Sequence, residues 1–293
     1  MWLEPSSPTG AGSGCAAVAD DSPTLLRLRD DARQRYWLYR PARAPARCAR
    51  VLVSVHGISR NAAAHARALA GVADALGCVL IAPHFSRSRF PDYQRLGRPG
   101  RLGAGGRADL MLMRIVDEVR ARLGLALQPF GLLGHSGGAQ FAQRFALVHA
   151  RHLAGYALSA PGSYAWPDPA RRFPHGLSAS ARFPDLRIDL DAALRQPGLL
   201  LVGGLDVERD PALRQGARID ARQGCTRVER AQRYIAALNQ RAAQHGVVAR
   251  VRQVVVPDCA HGFSSLAYAP LWRSEVLQHF RAAFDGGGAS SGA

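Results

Sequence analysis

One serine in this chain stands where a nucleophile would be built. Gly134-His135-Ser136-Gly137-Gly138 follows the apolar stretch Phe130-Gly131-Leu132-Leu133 and precedes a helix-forming run from Ala139 to Ala150. Gly-x-Ser-x-Gly between a strand and a helix is a nucleophile elbow, in which the serine occupies a sharp, strained turn and the flanking glycines leave it room. The helix that starts behind the serine offers free N–H groups and the positive end of its dipole to a developing oxyanion. A serine hydroxyl also needs a base, and the base needs an acid to orient it.

The chain has ten histidines to supply the base. His65, His149, His152, His245 and His279 fall in helical runs and read as packed or solvated. His149 and His152 are spaced i, i+3, but no third ligand accompanies them, so no metal site is expected. His135 neighbours the serine yet points away from the elbow, and His56 reads as a brace for its own loop. His261 lies in Val254-Val255-Val256-Pro257-Asp258-Cys259-Ala260-His261-Gly262-Phe263, directly after the last apolar strand. A loop there can return across the sheet to Ser136, which makes His261 the expected base. The expected acid is Asp206, placed after the strand Leu199-Leu200-Leu201-Val202 by Gly203-Gly204-Leu205, with Asp210 and Asp258 as alternatives. The oxyanion donors expected are the Gly137 N–H and the Ile58 N–H, the latter turned inward by Gly57 in His56-Gly57-Ile58-Ser59-Arg60-Asn61.

These residues require a scaffold of strands whose carboxyl ends converge. Leu25-Leu26-Arg27-Leu28 and Arg35-Tyr36-Trp37-Leu38-Tyr39 flank Asp30-Asp31 and read as an opening hairpin. Continuous apolar runs at 51–55, 78–82 (stopped by Pro83), 130–133, 154–158, 199–202 and 247–256 read as strands buried on both faces. Helical stretches separate them at 62–76, 109–123, 139–150 and 226–245, and a last one covers 271–284; Leu112, Ile115, Val116 and Val119 share one face of the second. Such alternation gives a mostly parallel sheet with helices on both faces, with chemistry at the strands' carboxyl ends.

In the order Ser136, Asp206, His261 these residues resemble the α/β-hydrolase superfamily over about residues 24–284. Pro91-Asp92-Tyr93-Gln94-Arg95-Leu96-Gly97, the run from Gly134 to Phe141, and Ser159-Ala160-Pro161-Gly162-Ser163-Tyr164 resemble its poly(3-hydroxybutyrate) depolymerase or esterase branch. The resemblance implies an α/β-hydrolase fold and hydrolysis of a carboxylic ester through an acyl-serine, without a cofactor. Secreted polymer depolymerases carry a signal peptide and an added binding domain, and neither is read here, so a small soluble ester is the expected substrate. Peptidase, amidase or thioesterase action would use the same triad, and a non-catalytic binding protein on this fold is the reading from another class.

Two segments are placed to shape a pocket. The insertion at about 163–196 carries Tyr164, Trp166, Phe173 and Phe183 in a Pro-rich setting and reads as a small lid or pocket wall, with Tyr164 and Trp166 expected to touch substrate. Phe85 to Arg107 carries Arg87, Arg89, Arg95, Arg98, Arg101 and Arg107 against Asp92 alone. It reads either as a selector of anionic substrates or as a solvated loop.

Composition bounds the rest. The 293 residues carry 38 basic groups, all arginine, against 22 acidic ones, a net charge of +16. The longest basic run is the pair Arg171-Arg172, so the charge is dispersed and nucleic acid is not an expected partner. Five scattered cysteines without a Cys-x-x-Cys pair indicate neither a zinc ribbon nor a dense disulfide framework. With no signal-peptide pattern and no long apolar window, the expectation is a cytoplasmic protein with no membrane partner. Residues 1–23 and 285–293 read as flexible ends around one catalytic domain at 24–284, and oligomeric state is left open.

Overall fold

The computed structural model describes residues 22–42, 50–97 and 106–286. Most of the expected flexible ends, Cys15, Cys48, Arg98 and Arg101 lie outside those residues.

Among the described residues eight strands form one sheet in the spatial order β1-β2-β4-β3-β5-β6-β7-β8. They are β1 (Thr24–Leu28), β2 (Asp31–Tyr39), β3 (Val51–Val55), β4 (Val79–His84), β5 (Phe130–His135), β6 (Leu153–Ser159), β7 (Gly198–Gly203) and β8 (Val251–Val256). β1 and β2 are the expected hairpin, and β2 runs antiparallel to β4; every pairing from β4 onward to β8 is parallel. Every residue of β3, β5 and β7 is buried, which is why these strands read as unbroken apolar runs rather than alternations.

Among the described residues eight α-helices cover the sheet: α1 (Ala62–Leu76), α2 (Ala108–Leu123), α3 (Gly137–Val148), α4 (Leu190–Arg195), α5 (Ala217–Gln223), α6 (Arg227–Gln244), α7 (Phe263–Tyr268) and α8 (Pro270–Gly286). One face holds a core built from α2, α3 and α6, in which Leu112, Ile115, Val116 and Val119 join Phe141, Phe145, Tyr234 and Leu238. The other face packs Leu69 and Val72 of α1 against Trp272, Val276 and Phe280 of α8. Burying a side chain of this size contributes about 1.5–3 kcal/mol, so the two cores hold the strand ends as one rigid platform.

Three details depart from the sequence reading. Pro83 does not stop its strand: β4 runs through it, paired with Tyr36 of β2, beyond the last β3–β4 pair, Val53 with Ile81. A residue without an N–H therefore costs no ladder bond on the β3 side. The last strand begins at Val251 rather than Val247, and α4, α5 and α7 are short helices that no apolar period announces. Among the described residues no helix is long and apolar enough to cross a membrane.

Candidate active site

The chain leaves β3 toward β4 on one side, then enters β5 on the other side of β3. Strand order reverses between β3 and β5, and a crevice opens at their carboxyl ends. The loop after β3 carries His56 to Asn61, and the turn after β5 carries Ser136, so the topology brings them together.

Ser136 adopts φ 53° and ψ −111°, a left-handed backbone that a residue with a side chain rarely takes. Neighbouring glycines make the turn possible. A Cβ on Gly134 would lie 2.1 Å from the Gly138 carbonyl oxygen, and one on Gly138 would lie 2.0 Å from that of Val55. The collisions avoided are thus across the turn and with β3, and any larger residue would push α3 off the sheet.

Three of the residues expected from sequence meet in hydrogen-bond range. His261 Nε2 lies 3.0 Å from Ser136 Oγ, and His261 Nδ1 lies 2.9 Å from Asp206 Oδ2. Asp206 and Ser136 are buried, and His261 is partly exposed at the cleft. Of the alternative acids, Asp258 is exposed, at a positive φ of 56°, and Asp210 turns to another partner.

That partner is Arg227, a residue the sequence reading passed over. Its guanidinium NH1 donates to Asp206 Oδ1 at 2.9 Å and to Asp210 Oδ2 at 2.6 Å, and its side chain is 1% exposed. Each oxygen of Asp206 is therefore occupied, one by the imidazole and one by the guanidinium. The hydrogen bond from Arg227 is the main cause that holds the Asp210 carboxyl below its ordinary value. Arg227 opens α6, whose N-terminus is fixed by Thr226, which accepts from the Glu229 N–H at 3.1 Å. Thr226-x-x-Glu229 is a legible helix start, but nothing in it says which carboxylates lie in front of that helix.

The remaining histidines shape the surroundings. The Phe85 N–H donates to His56 Nε2 at 3.0 Å, so His56 Nδ1 carries the proton and donates to the Gly57 carbonyl at 2.9 Å. His56 is the brace the sequence suggested, and burial pushes it down to about 4. His65 is stacked on Phe263 at 3.6 Å between ring centres and bonded to Ser54 Oγ at 2.9 Å. His135 shares a hydrogen bond with Ser159 Oγ at 3.2 Å. Burial holds His65 and His135 well below the ordinary imidazole value, so both are neutral packing groups beside His261.

The loop after β3 turns tightly, with the Arg60 N–H donating to the Gly57 carbonyl at 3.0 Å. Ile58 and Gly137 are adjacent across the crevice: a Cβ on Gly137 would stand 3.0 Å from Ile58 Cγ2. No backbone carbonyl among the described residues accepts the N–H of either. A cleft of about 530 Å³ opens over these groups, walled by Ile58, Asn61, His65, Ala212 and Phe263 as well as Ser136 and His261. Among the described residues no group of three His, Cys, Asp or Glu is placed to hold a metal ion.

Tyr164 and Trp166 are not in this cleft. Tyr164 is 1% exposed and stacked on Tyr234 at 4.1 Å; Trp166 meets the same ring edge-on at 6.2 Å. Phe173 packs on Phe183 at 5.3 Å. The aromatic side chains of the insertion thus turn inward against α6 and one another, where burial stabilises them more than exposure over a polar cleft would. The arginines of 85–107 are partly committed as well: Arg89 binds Asp31, and Arg107 binds both Asp109 and Asp185 at 2.7 Å.

This sheet order, elbow and strand-end cleft define the α/β-hydrolase fold. Solved structures agree in fold. LpqC, a poly(3-hydroxybutyrate) depolymerase from Bordetella parapertussis, aligns with a TM-score of 0.69 and 25% identity, over 90% of this chain and 91% of its own. Poly(aspartic acid) hydrolase-1 from Sphingomonas sp. KT-1 aligns with a TM-score of 0.70 and 23% identity, over 84% and 92%. An esterase from Rhizomucor miehei aligns with a TM-score of 0.54 and 15% identity, over 90% and 84%. No family model matches the sequence, and no curated protein matches it.

Proposed function

We propose that this chain is a serine hydrolase that cleaves carboxylic esters through an acyl-serine intermediate. The observation that carries the reading is His261, held between Ser136 Oγ at 3.0 Å and Asp206 Oδ2 at 2.9 Å. Asp206 accepts a hydrogen bond from His261 Nδ1–H and so leaves the Nε2 lone pair directed at the serine hydroxyl. His261 takes that proton as Ser136 Oγ attacks the ester carbonyl, and the resulting imidazolium is stabilised by Asp206. The oxyanion is received by the N–H groups of Gly137 and Ile58, each worth about 3–4 kcal/mol of the barrier. His261 then gives its proton to the leaving alcohol. A water molecule, deprotonated by the same imidazole, attacks the acyl-serine and releases the acid.

The likeness to an esterase and to a depolymerase supports the same chemistry. An ester of small, soluble type suits a cleft of about 530 Å³. Amides and thioesters would run through the same steps, so the test compares all three. A panel of nitrophenyl esters, matched anilides and matched thioesters is assayed with the native chain and with Ser136→Ala. Ester turnover that falls to the uncatalysed rate in the variant is the expected result. Equal turnover by both chains would overturn the reading, and faster cleavage of the anilides would replace esterase by amidase.

A further inference from the structure

Beside the elbow, basic groups gather where few acids answer them. Arg144 lies on α3 two turns beyond Ser136 and is 1% exposed. Its Nε donates to the Pro174 carbonyl at 2.9 Å and its NH1 to the Gln140 carbonyl at 3.0 Å. Among the described residues no carboxylate is within ion-pair range of it, although the field of Asp92 reaches it. Arg95 and Arg182 share a single carboxylate, that of Asp92, at 2.9 and 3.5 Å. Arg171 reaches Asp168 only at 4.0 Å, and Arg214 is exposed with no carboxylate partner among the described residues.

Among the described residues these five guanidinium groups have two ion-paired carboxylates between them, Asp92 and Asp168. They act on one another and on what stands among them. Burial, then repulsion from Arg95, outweighs the attraction of Asp92 and Tyr234 and, with a smaller push from Arg214, brings Arg144 down to about 9. Burial, then Arg144, Arg95, Arg214 and Arg171, pushes His175 down to about 4. Contacts place these groups together: Arg144 donates to the Pro174 carbonyl beside His175, and Arg230 joins the Arg214 carbonyl at 2.8 Å to the Gly162 carbonyl at 2.6 Å, where a Cβ on Gly162 would stand 3.3 Å from Gln140 Nε2 on α3.

The locality adjoins the reacting centre. Arg95 ends a short 3-10 turn, Tyr93–Arg95, and a Cβ on Gly137 would meet Tyr93 Oη at 2.8 Å and Gln94 Cγ at 3.1 Å. Arg214 stands two positions after Ala212, a wall residue of the cleft. A buried guanidinium with no ion-paired carboxylate costs stability, and an anion bound here would offset that cost.

We propose that this cluster is a subsite for a carboxylate carried by the substrate, so that the enzyme prefers acidic esters over neutral ones. The inference rests on the serine hydrolase reading and names its substrate class. Arg95, Arg171, Arg182 and Arg214 keep exposed guanidinium surface able to take a carboxylate in the forked geometry of arginine. Arg144 is itself buried and contributes only its field. Ser136 and Arg144 are eight residues apart, about 12 Å along the helix at 1.5 Å per residue. None of these arginines lines the cleft over Ser136, so the carboxylate sits several bonds from the scissile carbonyl, as in the mono-nitrophenyl ester of a long dicarboxylic acid.

The test uses the native chain, Arg214→Gln and Arg95→Gln with two ester series of equal chain length, one ending in methyl and one in carboxylate. In low salt the native chain is expected to cleave the longer acidic esters with kcat/KM about tenfold above the neutral ones. That preference should shrink as salt shortens the range of the charges. Each variant should lose most of it through KM while neutral esters are cleaved as before. Neutral turnover without any acidic preference overturns the subsite and leaves the hydrolase reading intact. An equal loss on both series in both variants also overturns it, because the arginines would then be structural. Failure to cleave any ester in either series overturns the reading beneath it.

Discussion

Arg227 and Arg144 are both 1% exposed and both lie close to the elbow, yet their surroundings differ in kind. Arg227 faces two carboxylates, Asp206 at 2.9 Å and Asp210 at 2.6 Å, and its charge is answered. Arg144 is held by two backbone carbonyls, and Arg95 and Arg214 repel it while Asp92, outside ion-pair range, and Tyr234 attract it. The first arrangement closes on itself and serves to hold a side chain still. The second is open, with positive charge left over for something that is not part of the chain. Burial alone does not separate the two roles; the count of opposing charges does.

The closed arrangement is broken most severely at the residue it shares with His261. Asp206→Asn should leave the fold intact and lower kcat by roughly 10⁴-fold, because the imidazole tautomer is lost. Circular dichroism and steady-state ester kinetics check both halves, and near-native turnover would show that Asp206 does not orient His261. Next comes Arg227→Met, which strands two carboxylates and should cost about 3–5 kcal/mol of unfolding free energy. Its effect on kcat should be smaller than that of Asp206→Asn, since the carboxylate itself remains. The Asp210 carboxyl is held below its ordinary 3.8 by Arg227. Its share of that stability is therefore complete above pH 4 and fades in more acidic solution, so denaturant midpoints of native chain and variant should converge as pH falls. A gap that widens in acid would break the pairing described for Arg227. The smallest effect belongs to the open arrangement, where Arg214→Gln should leave neutral esters untouched and reduce only the preference for acidic ones.

The platform was legible because both of its periodicities are strong. Strands buried on both faces write themselves as runs such as Val51–Val55, and α2 writes its buried face at Leu112, Ile115, Val116 and Val119. The elbow was legible because its strained turn demands glycine at fixed offsets. His261 and Asp206 could be chosen because loops after strand ends must converge above the sheet. Arg227 was not legible. It pairs with residues 21 and 17 positions earlier, across a loop whose path no local propensity sets. Tyr164 and Trp166 misled for the complementary reason: aromatic residues mark a place worth burying, whether against a substrate or against Tyr234. The arginines of 85–107 divided in the same way, Arg89 and Arg107 finding carboxylates and Arg95 joining a cluster drawn from other loops.

The most direct test of the central claim is covalent. The native chain is treated with a fluorophosphonate, digested, and the modified residue is located by mass spectrometry. A single adduct on Ser136, formed rapidly by the native chain and absent from both Ser136→Ala and His261→Ala, is the result this account predicts. An adduct on another residue, or equal labelling of Ser136 in the absence of His261, would contradict it.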